Sequence, residues 1–304
     1  DSKSGLQFSI PWYWNIAPNR DATLTPMVSA KRGFGGEAEF RYLEPGFQGK
    51  ANVHLLPNDR LTGQARHALN LSHEGALPLG ASVSFNGLRV SDDAYWKDFP
   101  RAVPSITPRL LLADVAARRD FEGWGSYARV HRWQVLQDDA SRIEAPYDRA
   151  PQVGVRGAQR FGGFELALET ELNRFAEPDN GRADPLATAR PTGLRWHALG
   201  SIARPFGSPG WTVTPRASFN AAAYSLDEPL GGKRGLSRVI PTLSVDSHWQ
   251  LERDARWFGR EVRQTLEPRL MLVSTPYREQ DARLAFDAAP RDFNFESLYA
   301  ENAF

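Results

Sequence analysis

Hydrophobic and polar residues alternate with a period of two along most of this chain, and no helical run interrupts the pattern. Leu6, Phe8, Ile10, Trp12, Trp14 and Ile16 share one face, with Gln7, Ser9, Tyr13 and Asn15 on the other. Only a β-strand sends neighbouring side chains to opposite sides, so each alternating block predicts a strand with one apolar and one polar surface. In Gly163–Leu172 the polar surface carries Glu165, Glu169 and Glu171, opposite Phe164, Leu166, Leu168 and Leu172. A soluble sandwich buries its apolar surface, whereas a membrane barrel turns it to lipid and lines its lumen with the polar one. The alternation by itself fits both.

Turn signals between the blocks divide the chain into about 14 strands. They are Gly5–Ile16, Ala22–Lys31, Glu37–Leu43, Lys50–Leu56, Ala65–Ser72, Leu79–Val90, Leu110–Arg119, Trp124–Val135, Gln152–Gln159, Phe164–Phe175, Leu194–Arg204, Trp211–Ser225, Val239–Glu252 and Gln264–Ser274. Several exceed the ~9–11 tilted residues that cross the ~25 Å apolar band of an outer membrane. Their connections alternate in length. Ala17–Asp21, Asp120–Gly123 and Pro205–Gly210 are short, while Ser91–Pro108, Gln137–Pro151, Glu177–Pro191 and Leu226–Arg238 are long and polar. Short turns on one rim and long loops on the other are the mark of an outer-membrane barrel with its short rim in the periplasm. Arg253–Arg263 is the exception, a longer connection on the short rim.

On this reading the first strand runs inward, and turn chemistry at Asp1–Gly5 suggests that an upward strand precedes it. Thr275–Phe304 reads as a long outer loop leading to further strands. Open edges in lipid leave backbone groups unpaired at several kcal/mol each, so the expected parent barrel is larger than this segment. The fold class is thus all-β: an antiparallel transmembrane barrel segment, incomplete within the chain.

Composition changes this picture little. Across 304 residues, 37 basic and 36 acidic side chains leave a formal charge of +1, which gives no field to attract nucleic acid. Mean hydropathy of −0.48 is compatible with alternating barrel strands. The absence of cysteine excludes disulfides within the chain. There is no initiating Met, and an export signal is expected outside the sequence.

Trp12, Tyr13, Trp14, Tyr42, Trp124, Trp211, Trp249 and Trp257 lie near strand ends, as a membrane-interface girdle requires. By parity the lumen takes Gln7, Ser9, Tyr13, Glu165, Glu169, Glu171, Arg216, Asp246, His248 and Glu252, while Leu6, Phe8, Ile10, Trp12, Leu243, Val245 and Trp249 face lipid. The solvated face of a sandwich would carry the same polar residues. Pro11 and Pro26 fall inside the first two strands and Pro215, Pro241 and Pro268 inside later ones, where a missing N–H weakens the ladder. The six histidines lack metal-ligand spacing, and Ser244, Asp246 and His248 on one strand make no hydrolase triad. No phosphate-binding glycine motif occurs, so no cofactor is expected and no enzyme.

Several segments carry a family likeness: FSIPWYWNIAPNRDATLTP (8–26), EFRYL (39–43), LPNDR (56–60), RVSDDAYWKDF (89–99), YDRAPQ (147–152), KRGLSRVIPTLSVDSHWQLERD (233–254), QTLEPRLMLVSTPYREQ (264–280) and DFNFESLYAENAF (292–304). Through these, over nearly all its length, the chain resembles the lipopolysaccharide-assembly family LptD, also called organic solvent tolerance proteins. The resemblance implies a very large outer-membrane barrel, inserted by the barrel-assembly machinery and plugged by the lipoprotein LptE. An N-terminal jellyroll accepts lipopolysaccharide from the LptA bridge, and the lipid leaves through a lateral gate between first and last strands. PWYWN matches the family's second barrel strand, which assigns Pro11, with Pro26 nearby, to the gate. The jellyroll, first strand, C-terminal strands and family cysteines are missing here, so the chain is expected to form roughly half of such a barrel. A diffusion porin, a soluble carbohydrate-binding sandwich and an outer-membrane hydrolase are the rival readings.

Overall fold

The computed structural model describes residues 4–100, 109–178, 190–278 and 286. The turn residues Asp1–Lys3, parts of the connections Ser91–Pro108 and Glu177–Pro191, and nearly all of Thr275–Phe304 with its DFNFESLYAENAF segment lie outside these.

Antiparallel strands make up almost the whole of the described chain. They are β1 (Gln7–Ser9), β2 (Trp12–Ala17), β3 (Arg20–Ser29), β4 (Gly33–Glu44), β5 (Phe47–Asp59), β6 (Gln64–Leu77), β7 (Ala81–Val90), β8 (Leu110–Phe121), β9 (Trp124–Val135), β10 (Asp148–Phe161), β11 (Phe164–Ala176), β12 (Gly193–Ala203), β13 (Phe206–Ser208), β14 (Trp211–Leu230), β15 (Lys233–Trp249), β16 (Leu251–Trp257), β17 (Arg260–Leu266) and β18 (Arg269–Ser274). Among the described residues one short α-helix, α1 (Tyr95–Asp98), follows β7, and a single 3₁₀ turn at Pro78–Gly80 precedes it between β6 and β7. Hydrogen-bonded neighbours follow chain order from β1 to β18, with β2 beside β3, β13 beside β14, and β16–β17 a separate two-stranded sheet. No pairing joins β1 to β18 among the described residues. Among the described residues no helix is long and apolar enough to cross a membrane.

Residue contacts group the chain into two units, one of residues 1–120, 126–153 and 173–192 and the other of 121–125, 154–172 and 193–304. In the first, register keeps one polarity on each side. Phe8 pairs with Val28, Trp12 with Leu24, Val28 with Phe34 and Ala38 with Val53, while Tyr13 pairs with Thr23, Glu39 with Asn52 and Asn52 with Asn70. Phe8, Trp12, Trp14, Val28 and Phe34 are all exposed. In the second unit Trp211 pairs with Trp249, Ala217 with Leu243 and Pro215 with Val245 on the apolar side, and Arg216 with Ser244 and Thr212 with His248 on the polar side. Glycines make room for rings on the apolar side: a Cβ at Gly200 would stand 2.3 Å from the Phe219 ring on the neighbouring strand.

Four departures from the expected strands have physical causes. Gly5–Ile16 is not one strand, because Ile10 and Pro11 separate β1 from β2. The expected polar loop Leu226–Arg238 is instead the end of a long hairpin, β14–β15, closed by Gly231 and Gly232 at φ +58° and +81°. Two successive positive φ angles define the turn that matches strand twist, and glycine adopts them without strain. The strand expected over Val239–Glu252 stops at Trp249, and residues 251–266 fold back on themselves as β16–β17. Consequently only Arg269–Ser274, rather than Gln264–Ser274, pairs with β15.

Candidate functional site

The polar face of β3–β5 is a wall of matched charges. Arg41 grips Asp21 through two bonds of 2.8 and 2.7 Å, Lys50 meets Glu39 at 2.7 Å, and the Tyr13 hydroxyl donates to Asp21 at 3.4 Å. The hairpin register sets Asp21 directly beside Arg41; it also sets the like charges Arg41 and Lys50 side by side, and Glu39, two residues along β4, offsets them by reaching Lys50 diagonally and lying 3.6 Å from Arg41.

The segment after β7 folds over one end of this wall. Asp92 starts it: its carboxylate accepts the Ala94 N–H at 3.1 Å, and its carbonyl accepts the Tyr95 N–H at 3.2 Å, a local turn that aspartate favours. Helix α1 then places Tyr95, fully buried, among Ala68, Leu88, Val90, Leu111 and Leu136, with Trp96 and Phe99 packed against them. Burial raises the Tyr95 phenol above its ordinary range, and its oxygen is bonded to His54 Nδ1.

An ion cluster fixes this cap to the strands. Arg66 donates to Asp92 at 2.8 and 2.7 Å and to Asp98 at 2.6 Å, and lies 3.4 Å from Asp59. Arg32 meets Asp59 at 2.5 Å and Asp98 at 3.3 Å. Both guanidiniums sit over the Phe99 ring, at 4.8 and 5.0 Å. The side chains of Arg32, Asp59 and Arg66 are at most 4% exposed, so these charges persist only by satisfying one another. Between the cap, β1 and the wall lies a cavity of about 710 Å³, lined by Gln7, Ser9, Met27, Glu37, His54 and Phe99 among others.

A family model described as LPS transport system D matches residues 64–304. The chain is 42% identical to the LPS-assembly protein LptD of Paracidovorax citrulli, 40% to that of Albidiferax ferrireducens and 34% to that of Ralstonia nicotianae. All of the chain is covered in each case, against 38%, 39% and 37% of the relative. The chain belongs to the LptD family. It spans well under half the length of these LptD relatives.

The lumen-facing positions that strand parity singled out fall in two places. Gln7, Ser9 and Tyr13 lie on the polar face of the first unit, the first two at the cavity. In the second unit Glu165 pairs with Arg160 at 2.6 Å and Glu171 with Arg195 at 3.8 Å, and Glu169 shares their parity on β11. Asp246 is held by Arg269 through bonds of 3.0 and 2.6 Å, with Arg216 and His248 on the same face. Glu252 is separated from them, because it lies on the β16–β17 hairpin beside Gln250 and Arg263. Pro11 and Pro26 flank a gap in the β1–β3 ladder. The Ile10 N–H donates to the Pro26 carbonyl at 3.3 Å, but proline has no N–H to return the bond. In the same alternation Pro11 lacks its donor on the other side, the edge away from β3.

Sequence reasoning missed the cap cluster. Arg32, Asp59, Arg66 and Asp98 come from four separate segments, and only burial shows that they meet. Asp92 and Asp98 did fall within the RVSDDAYWKDF likeness. Among the described residues no His, Asp and Glu group is placed to hold a metal ion.

Proposed function

We propose that this segment forms part of the wall of an outer-membrane barrel that delivers lipopolysaccharide to the outer leaflet. The apolar face meets lipid, the polar face lines the lumen through which the sugar passes, and the acyl chains leave sideways past β1, beside Pro11 and Pro26. LptE plugs the intact barrel, the LptA bridge supplies its jellyroll, and the barrel-assembly machinery inserts it. The barrel performs no covalent step, and the energy for transport arrives from elsewhere. One observation carries this reading: a single sheet exposes aromatic and aliphatic residues along one face while the opposite face carries polar and ion-paired side chains. That division suits lipid outside and a polar cargo inside.

Depletion of the intact protein in its host tests it. Newly made lipopolysaccharide then accumulates before the cell surface, measured by its modification by an outer-leaflet enzyme. Arrival at the normal rate without the protein would overturn the reading.

A further inference from the structure

Past the Trp211–Trp249 pair the chain runs on beyond its neighbouring strand. The Gln250 N–H donates to the Gly210 carbonyl at 2.8 Å, and after it β16 and β17 pair only with each other among the described residues. They leave the sheet at the end opposite the Gly231–Gly232 turn of β14–β15, which is the end of the short turns. Seven residues in β16 give the hairpin a length of roughly 23 Å at ~3.3 Å per residue, with Trp257 and Phe258 at its tip. Its two faces differ in charge. Register puts Leu251 beside Leu266, Arg253 beside Gln264 and Trp257 beside Arg260 on one face. On the other, Arg263 lies 3.1 Å from Asp254 and 3.8 Å from Glu252, and Arg256 lies 3.8 Å from Glu261. Every acid of β16 and β17 is therefore on one face, matched there by arginine. The apolar face has two arginines and no acid: Arg253 donates to the neutral Gln264 side chain at 2.7 Å, and Arg260 has no acidic partner among the described residues. Leu251, Trp257, Phe258 and Leu266 are each at least 53% exposed.

We propose that this face docks on the headgroup layer of the anionic phospholipid leaflet at the short-turn rim, with Trp257 and Phe258 inserted and Arg253 and Arg260 on lipid phosphates. The inference rests on the barrel reading and adds a membrane contact outside the crossing strands. Charge decides the occupant. An apolar face whose only formal charges are cations suits negative phosphates above hydrocarbon, and the self-paired face suits water. A second copy of the hairpin fits less well, because it would gather four arginines in one interface with no acid to pair them. The hairpin lies on the leaflet and does not cross it, since its outer edges are unpaired among the described residues and hydrocarbon does not tolerate bare backbone groups. The ladder is interrupted between β15–β18 and β16–β17, at Gln250 and Pro268, where proline supplies no N–H. This break lets the hairpin turn from the line of β15 onto the leaflet.

The full-length protein with its plug is reconstituted in nanodiscs of phosphatidylcholine alone or of a three-to-one mixture with phosphatidylglycerol. A benzophenone-bearing residue replaces Phe258 at the tip, Glu261 on the self-paired face, or Leu243 on the apolar face of β15, and lipid adducts are counted by mass spectrometry. One arginine near an anionic surface strengthens association about fivefold. Phospholipid adducts at position 258 are therefore at least fivefold more frequent in the mixed discs, and those at 261 stay at background. Arg253→Gln with Arg260→Gln reduces the adducts at 258 at least fivefold, whereas Arg253→Lys with Arg260→Lys keeps them within twofold, and neither pair changes those at 243. Adducts at 243 without adducts at 258 overturn the docking and leave the barrel reading standing. Equal adducts at 258 in both discs, or no loss with the glutamine pair, overturn the anionic leaflet as occupant. Adducts at 261 equal to those at 258 overturn the facing, and crosslinks from 258 to a protein chain in place of lipid overturn the proposal as a whole. Absence of lipid adducts at all three positions overturns the barrel reading and the docking with it.

Discussion

Truncating Arg66 should release the cap from the strands. Arg66 makes three bonds of 2.6–2.8 Å to Asp92 and Asp98 and lies against Tyr95 and Phe99. With Arg66→Ala, Arg32 still reaches Asp59 and Asp98, while Asp92 keeps the Ser91 hydroxyl and the Ala94 N–H and loses its two guanidinium bonds. Leaving a buried charge uncompensated costs ~3–5 kcal/mol. Asp92 and Asp98 are 30% and 23% exposed, so water recovers part of this and the low end applies. About 3 kcal/mol, at about 1.4 kcal/mol per tenfold, shifts the open–closed equilibrium of the cap by a factor of order 100. Hydrogen exchange reads this directly, because the Phe99 amide donates to the Tyr95 carbonyl at 2.8 Å and the Asp98 amide to the Ala94 carbonyl at 3.2 Å. Exchange at these two amides should accelerate about 100-fold in Arg66→Ala, with β3–β5 unchanged. Arg66→Lys should fall between, because an ammonium keeps the charge but loses the two-pronged grip on Asp92. Less than threefold acceleration in a correctly folded Arg66→Ala protein would show that apolar packing of Tyr95 and Leu111, and not the ion cluster, holds the cap.

Other expectations follow from single contacts. Gly200→Val drives a side chain into the Phe219 ring and should cost ~1–3 kcal/mol, measured as a lower unfolding temperature of the heat-modifiable gel band. With Asp246→Cys and Val245→Cys, a water-soluble thiol reagent should label position 246 faster, and the reverse order would overturn the facing of β15. Pro26→Ala returns the donor missing opposite Ile10, worth ~0.5–1.5 kcal/mol, and should tighten that seam, slow lipopolysaccharide delivery and raise sensitivity to bulky antibiotics. Lys97, 2.5 Å from Asp138, holds that carboxyl below its ordinary 3.8. A depressed carboxyl contributes stability above its ordinary value and loses it as pH falls through the lowered one. The Lys97 tie should therefore be constant from pH 8 to 5, and cap exchange, corrected for its intrinsic rate, should rise from its loss only below 3.8.

Much of this architecture is legible in the period-two pattern, because register conserves face: once Trp12 lies beside Leu24, the sides of β3 and β4 follow. The pattern fails where the chain leaves a two-sided environment. Residues 226–238 are polar and strand-forming together, so composition suggests a loop where the backbone continues its ladder. The β16–β17 hairpin keeps alternation, but nothing in Gln250 or Pro268 announces that the strands part there. The cap is hidden for another reason. Tyr95 looks like any loop aromatic until Ala68 and Leu111 are seen around it, and the meaning of Arg66 depends on Asp92 and Asp98, more than twenty residues away.

The paired prolines at the first strand also bear on the order of assembly. The β2–β3 hairpin turns through Pro18 and Asn19 alone, so its ends meet early and pairing spreads from Ala17 and Arg20 toward Trp12 and Leu24. At Ile10 the next step forms one bond to Pro26 and cannot form its reciprocal, and beyond it the pairing resumes through the short β1 and the bonds that Leu6 and Ser4 accept from Ala30 and Lys31. Zippering therefore pauses at this point, and Gln7–Ser9 adds last. The same residues that are last to join the sheet are the first to leave it, so a rare excursion of this short segment exposes the cavity edge without disturbing the hairpin behind it.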